Sequence, residues 1–97
     1  MNQTSNFIDD LINEQGYQLS PVAVKLLVAV ASELGNPDGF TARHRLNQKC
    51  PSFPLNHRTL ANRDSLGTGP KEKILVGKQV FYRNYAILEA LCRELSR

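Results

Sequence analysis

Nowhere in these 97 residues do apolar side chains run for the 18 or more positions that a membrane-spanning helix requires. The opening stretch, Met1 to Asp10, is polar and acidic and lacks the basic start and apolar segment of a secretory leader. The expected compartment is therefore the cytoplasm. Cysteine is scarce: Cys50 and Cys92 form no Cys-x-x-Cys, and with His44 and His57 they fit no zinc-ligand spacing. Two lone thiols are expected as small buried hydrophobes rather than as a disulfide. Catalytic patterns are missing as well. There is no Ser/His/Asp arrangement, phosphate-cradling glycine loop or cysteine-nucleophile motif. Asp9 and Asp10 are adjacent, so on a helix they do not share a face and read as surface charges. Neither an enzyme nor a bound cofactor is expected.

Charge is present but unevenly spread. Residues 1–40 hold one base, Lys25, against five acids and carry a net −4. Residues 41–97 hold eleven bases against four acids and carry +7. Such a division suits a basic half that meets a polyanion, and equally a dipolar surface without a partner. The length allows one domain with a modest core.

Hydrophobic spacing divides the chain into short elements. Ser5 is placed to cap a helix carrying Phe7, Ile8, Leu11 and Ile12 on one stripe, with Gly16 ending it. Ser20-Pro21 is a strong helix start, and Val22 to Leu34 follows before Gly35. This helix is apolar around almost its whole circumference. It is expected either at the centre of the core or in a dimer interface. Thr41 is placed to cap a third helix, Ala42 to Lys49, with Leu46 inward. A tight connection, Cys50 to Leu55, holds two prolines. Asn56 caps a fourth helix from His57 to about Leu66, stopped by Gly67-Thr68-Gly69-Pro70. Two short helices across a tight turn are a helix-turn-helix in outline.

Ile74-Leu75-Val76 and Val80-Phe81-Tyr82 flank Gly77-Lys78-Gln79 in a β-hairpin pattern. If Ile74, Val76, Val80 and Tyr82 share the inner face, Val76 pairs with Val80 across a three-residue loop. A two-residue loop at Gly77-Lys78 would instead pair Val76 with Gln79 and set Leu75 beside Val80. The first arrangement is favoured. A last helix, Asn84 to about Leu95, lines up Ile87, Leu88, Leu91 and Leu95, with Cys92 beside them.

Helix four has two faces. His57, Arg58, Ala61, Asn62 and Ser65 share one side; Leu60 and Leu66 are expected inward. Arginine and asparagine are the side chains that pair bidentately with guanine and adenine edges, and small residues allow close approach. Lys71, Lys73 and the hairpin-tip Lys78 add phosphate-binding charge, and Arg43 and Arg45, flanking His44, form either a backbone clamp or a solvated face.

These residues carry a resemblance. Arg58-Thr59-Leu60-Ala61-Asn62, then Leu66-Gly67-Thr68-Gly69-Pro70, then Val76-Gly77-Lys78-Gln79-Val80-Phe81-Tyr82-Arg83, looks like the small bacterial and phage MerR-like helix-turn-helix domains, which include excisionases and AlpA-type regulators. Phe40-Thr41 also resembles that family's entry into its first helix. The resemblance covers roughly residues 40–95. It departs from the family at Arg63, where a Trp or other large apolar residue is usual. It departs again at Leu75 and Phe81, where basic residues are frequent, and in the proline-bracketed turn. Arg63 is expected to lay its stem across the core and send its head to a phosphate. Leu75 and Phe81 are expected to project outward together.

The resulting expectation is a mainly α fold with a small β-hairpin, a winged helix-turn-helix over 40–97 preceded by a helical extension over 1–39. The expected function is sequence-specific binding of double-stranded DNA, as a transcription regulator or excisionase-like factor of a bacterial cell or its phage. The candidate DNA contacts are Arg43, Arg45, Asn56, His57, Arg58, Asn62, Arg63, Ser65, Lys71, Lys73 and Lys78. One such module buries only roughly 600–1,000 Å², so a homodimer through the N-terminal helices would help specificity. The rival is a protein-interaction adaptor on the same scaffold, using the helix Val22 to Leu34 with Leu75 and Phe81.

Overall fold

A computed structural model describes residues 8–13 and 16–96. The cap expected at Ser5 and the contact expected from Phe7 lie outside the described residues. The elements run α1 (residues 8–13), α2 (Pro21–Leu34), β1 (Phe40–Ala42), a 3₁₀ turn (Arg43–Arg45), α3 (Leu46–Lys49), α4 (His57–Ser65), β2 (Lys73–Val76), β3 (Gln79–Arg83) and α5 (Asn84–Leu95). The fold is mostly helical, with one three-stranded antiparallel sheet in the order β1-β3-β2. No described helix is long and apolar enough to cross a membrane.

The core forms where α2 meets α5. Ser20 Oγ accepts from the Ala23 N–H at 3.1 Å, and Pro21 opens α2. Gly35, at φ +86°, closes it with an N–H donated to Ala31. Leu27, Val30, Ala31 and Leu34 are buried at i, i+3, i+4 and i+7. They join Ile87, Leu88, Leu91 and Cys92 of α5, with Ile8 and Leu11 of α1 and with Leu46, Cys50, Phe53, Leu60 and Tyr82 in one cluster. The all-round apolar character of α2 is thus only partly used. Leu26 and Val28 are half-buried flanks, and Val22 remains 74% exposed.

No side chain caps α5 at its N-terminus. Its first free N–H groups go instead to the turn after α2: Asn84 N–H to Gly39 O at 2.8 Å and Tyr85 N–H to Pro37 O at 3.0 Å. The buried Asn84 side chain reinforces this junction. Its amide donates to Asn36 O at 2.8 Å and its Oδ1 accepts from the Thr41 hydroxyl at 2.7 Å.

Four expectations are corrected here. Thr41 does not cap a helix; it lies in β1, paired with Tyr82, and its hydroxyl serves Asn84. A three-residue strand exists only because β3 supplies a partner, and local pattern does not announce it. The hairpin turns on two residues, Gly77-Lys78, with Val76 opposite Gln79 and Leu75 opposite Val80. Gly77 sits at φ +63°, and no described non-glycine residue has positive φ, which is the pattern of a type II′ turn. The inner-face argument failed because all of β2 projects beyond the core: Ile74, Leu75 and Val76 are each more than half exposed. Leu75 and Phe81 consequently lie on opposite faces. Leu75 shares the side of Val80 and Tyr82, and Phe81 that of Ile74 and Ala42. Finally, Leu66 does not pack inward but is 75% exposed, because the helix ends at it and Gly67 turns the chain away at φ +75°.

Candidate nucleic-acid interface

Helix α4 begins at Asn56, whose side chain accepts from the Thr59 N–H at 2.8 Å. The connection before it is pinned from three sides. Phe53 is buried, Asn47 Nδ2 donates to Leu55 O at 2.8 Å, and Glu33 accepts from the Ser52 N–H at 3.1 Å and hydroxyl at 2.8 Å. The two prolines therefore sit in a fixed turn between α3 and α4.

Within α4 only Leu60 is buried. His57, Arg58, Asn62 and Ser65 are exposed and Ala61 is half-buried between them, so the expected outward face is present as one surface. Among the described residues, no salt bridge engages Arg45, Arg58 or Lys78. Lys78 stands exposed at the hairpin tip.

The remaining candidate cations are engaged. Arg63 directs two N–H groups to the Glu94 carboxylate on α5. Lys71 lies 3.9 Å from Glu89. Arg43 and Lys73 both meet Asp64, at 2.7 and 3.6 Å. Arg45 lines a different cleft, to which α4 contributes no residue.

Asp64 was not singled out from sequence, yet it organises the region. Its Oδ2 accepts from Arg43 and from the Tyr82 hydroxyl, joining α4 to the 3₁₀ turn and to β3. Its Oδ1 is buried without a hydrogen bond among the described residues and is balanced only by the Lys73 ammonium. Burial, then the hydrogen bond to Asp64, pushes the Tyr82 phenol well above its ordinary range, so it remains a donor. A Cβ at Gly69 would stand 2.1 Å from Asp64 Oδ1. The Gly-x-Gly-Pro turn thus has a steric reason: only hydrogen fits where the aspartate folds inward. Arg93 closes the turn from α5, donating to Gly69 O at 3.1 Å. The one sequence signal for Asp64 was an acid standing alone in a basic stretch.

Cys50 and Cys92 are both free and buried. Burial, with Glu33 near the first and Glu89 near the second, raises their thiols to about 11 and about 12, so both are protonated at neutral pH. Among the described residues no three His, Cys, Asp or Glu side chains gather as a metal site. No family model, no curated protein and no solved structure significantly matches this chain.

Proposed function

We propose that this chain is a sequence-specific double-stranded DNA-binding protein with a winged helix-turn-helix, acting as a small transcription regulator or excisionase-like factor of a bacterium or phage. Helix α4 enters the major groove, and the hairpin of β2 and β3 follows the backbone with Lys78 at its tip. The observation that carries this reading is a helix with one residue buried and an outward face of His57, Arg58, Asn62 and Ser65 that no carboxylate neutralises among the described residues. Arg58 is assigned to a guanine edge and Asn62 to an adenine edge. Asn56 and His57 lie at the helix start, where phosphate contacts are favourable. Arg43 and Arg63 hold the frame through Asp64 and Glu94, while the exposed Lys71 and Lys73 are assigned to phosphates.

Selection of duplexes from a random pool, followed by anisotropy titration, tests this. One sequence should bind at least 10³-fold more tightly than random duplex, the lower end for specific recognition. Arg58→Ala should relax selection at one base pair, costing about 1–3 kcal/mol. Lys78→Ala should weaken all duplexes alike and reduce the salt slope by about 1. Equal, weak affinity for every duplex would overturn the proposal. Association through the N-terminal helices belongs to the same reading, with exposed Val22 and half-buried Leu26 one turn apart on α2 as its contact. Sedimentation of a Val22→Glu variant tests it, with a shift towards monomer expected.

A further inference from the structure

The sheet has a second face that the duplex reading leaves unused. Strand parity and register place Phe40 and Ala42 of β1, Gln79, Phe81 and Arg83 of β3, and Ile74 and Val76 of β2 on the side opposite Tyr82. No helix covers most of it: Phe40 is 54% exposed, Ile74 53% and Val76 56%. Phe40 is diagonal to Phe81 across the β1–β3 pair, because Phe40 faces Arg83 and Ala42 faces Phe81. Diagonal neighbours stand roughly 7–8 Å apart, within reach of one flat ring lying between or across them.

The rim of this face is cationic. Arg45 and Lys49, both exposed, line the same cleft as the two phenylalanines, together with the carboxamides of Gln48 and Gln79. Lys49 Nζ donates to the Thr41 hydroxyl at 3.3 Å, which ties the ammonium to the free edge of β1 beside the cleft and leaves two donors for a ligand. The cleft lining contains no carboxylate. Two acids come to this face with Arg83, opposite Phe40, and both Asp38 and Glu72 are paired with its guanidinium.

We propose that this face binds a single strand of DNA, stacking unpaired bases on Phe40 and Phe81 and setting consecutive phosphates against Arg45 and Lys49. Aromatic rings provide a sequence-tolerant stack, cations track the backbone, and carboxamides reach base edges. The openness of the face favours a strand over a free nucleotide. Small-ligand sites bury most of their ligand, whereas here both cations, both carboxamides and Phe40 are solvent-facing. The apolar surface also continues past one base, through Ile74 and Val76. The site is independent of α4, so a protein bound to duplex by that helix keeps a place for a strand that has opened.

The test uses the full chain and a labelled oligo(dT) twelve-mer. The protein contains no tryptophan, so Phe40→Trp introduces one fluorophore whose quenching reports stacking. Oligo(dT) should quench it. Phe40→Ala should weaken oligo(dT) binding about tenfold, and Phe40→Trp should restore it, since one base on one ring is worth about 1–3 kcal/mol. Arg45→Ala with Lys49→Ala should flatten the salt slope by roughly 1.4, at about 0.7 per phosphate of a single strand. The same titrations in an Arg58→Glu, Lys78→Glu background separate this site from the duplex surface: oligo(dT) binding should survive there. Absence of quenching, or unchanged affinity in Phe40→Ala, overturns the proposal. So does loss of oligo(dT) binding only in the Arg58→Glu, Lys78→Glu variant. Equal affinity for thymidine monophosphate overturns the assignment to a strand, and equal affinity for poly-glutamate reduces the site to bare charge.

Discussion

Helices α4 and α5 are joined by the Arg63–Glu94 pair, yet they are held by different physics. Seven of the twelve residues of α5 are buried, Ile87, Leu88 and Leu91 among them, and the helix is part of the core itself. One of the nine residues of α4 is buried. Polar links hold α4 at its far end: Arg63 to Glu94, and Asp64 to Arg43, Tyr82 and Lys73. A helix fixed by packing gives up its surface to the core. A helix fixed by a few directional bonds keeps most of its surface for a partner, at the cost of concentrating its stability in few residues. Each substitution below either breaks that contrast or sharpens it.

The largest effect is expected on α5. Leu91→Ala removes a fully buried side chain and leaves a cavity in the core cluster, at a cost of about 3 kcal/mol. Thermal melting should fall by roughly 12–24 °C for a domain of this size. A shift of only a few degrees would mean that α5 is not the centre of the core. Asp64→Asn comes next, at about 2 kcal/mol, because bonds to a charged partner are worth about 1.5–3 each and Asn keeps the shape without the charge. Its urea midpoint should drop with an unchanged slope, and amide exchange should accelerate in α4 before α5. Gly69→Ala should be damaging in the native background and less so beside Asp64→Ala, since the atom it strikes is then gone. An unchanged urea midpoint in Asp64→Asn would remove the aspartate from the centre of the region.

The same contrast shows why some of this was legible in sequence and some was not. Capping is local, so Ser20 with Pro21, Asn56 and the glycines that end helices announced α2 and α4 to within a residue. Periodicity reports burial, so the stripe of α5 and inward Leu46 and Leu60 were readable. It misled wherever apolar residues are not buried. Val76 sits on a hairpin beyond the core, and the parity argument that paired it with Val80 assumed an inner face that β2 does not have. Strand β1 depends on residues 39 to 43 positions away, and the Asp64–Tyr82 bond spans 18. Nothing within a local window marks Thr41 as a strand residue or Arg63 as the partner of Glu94. At the candidate site the outward residue types of α4 were readable, while the division of the cations into engaged and unengaged was not, because the carboxylates that divide them come from other elements.

Asn56 tests whether the start of α4 serves stability or recognition. Asn56→Ala removes the cap on the Thr59 N–H and should cost about 1 kcal/mol. Asn56→Asp keeps the cap and should keep the urea midpoint, yet it places a negative charge where a phosphate would approach and should weaken duplex binding. If both variants bind duplex normally, the N-terminus of α4 does not face the backbone.

The smallest effect on stability is expected at Arg58, and there the contrast between the helices is most exposed to failure. Its side chain is exposed and engages no carboxylate among the described residues, so Arg58→Ala should move the unfolding free energy by no more than about 0.5 kcal/mol. The same substitution should cost duplex affinity about tenfold or more, because a bidentate pair to one base is worth about 1–3 kcal/mol. A residue that is silent in unfolding and large in binding belongs to the partner, not to the fold. If Arg58→Ala instead lowers the melting temperature by several degrees and leaves duplex affinity intact, the outward face of α4 is holding the domain together, and the distinction between a packed helix and a presented one fails at the residue where it should be sharpest.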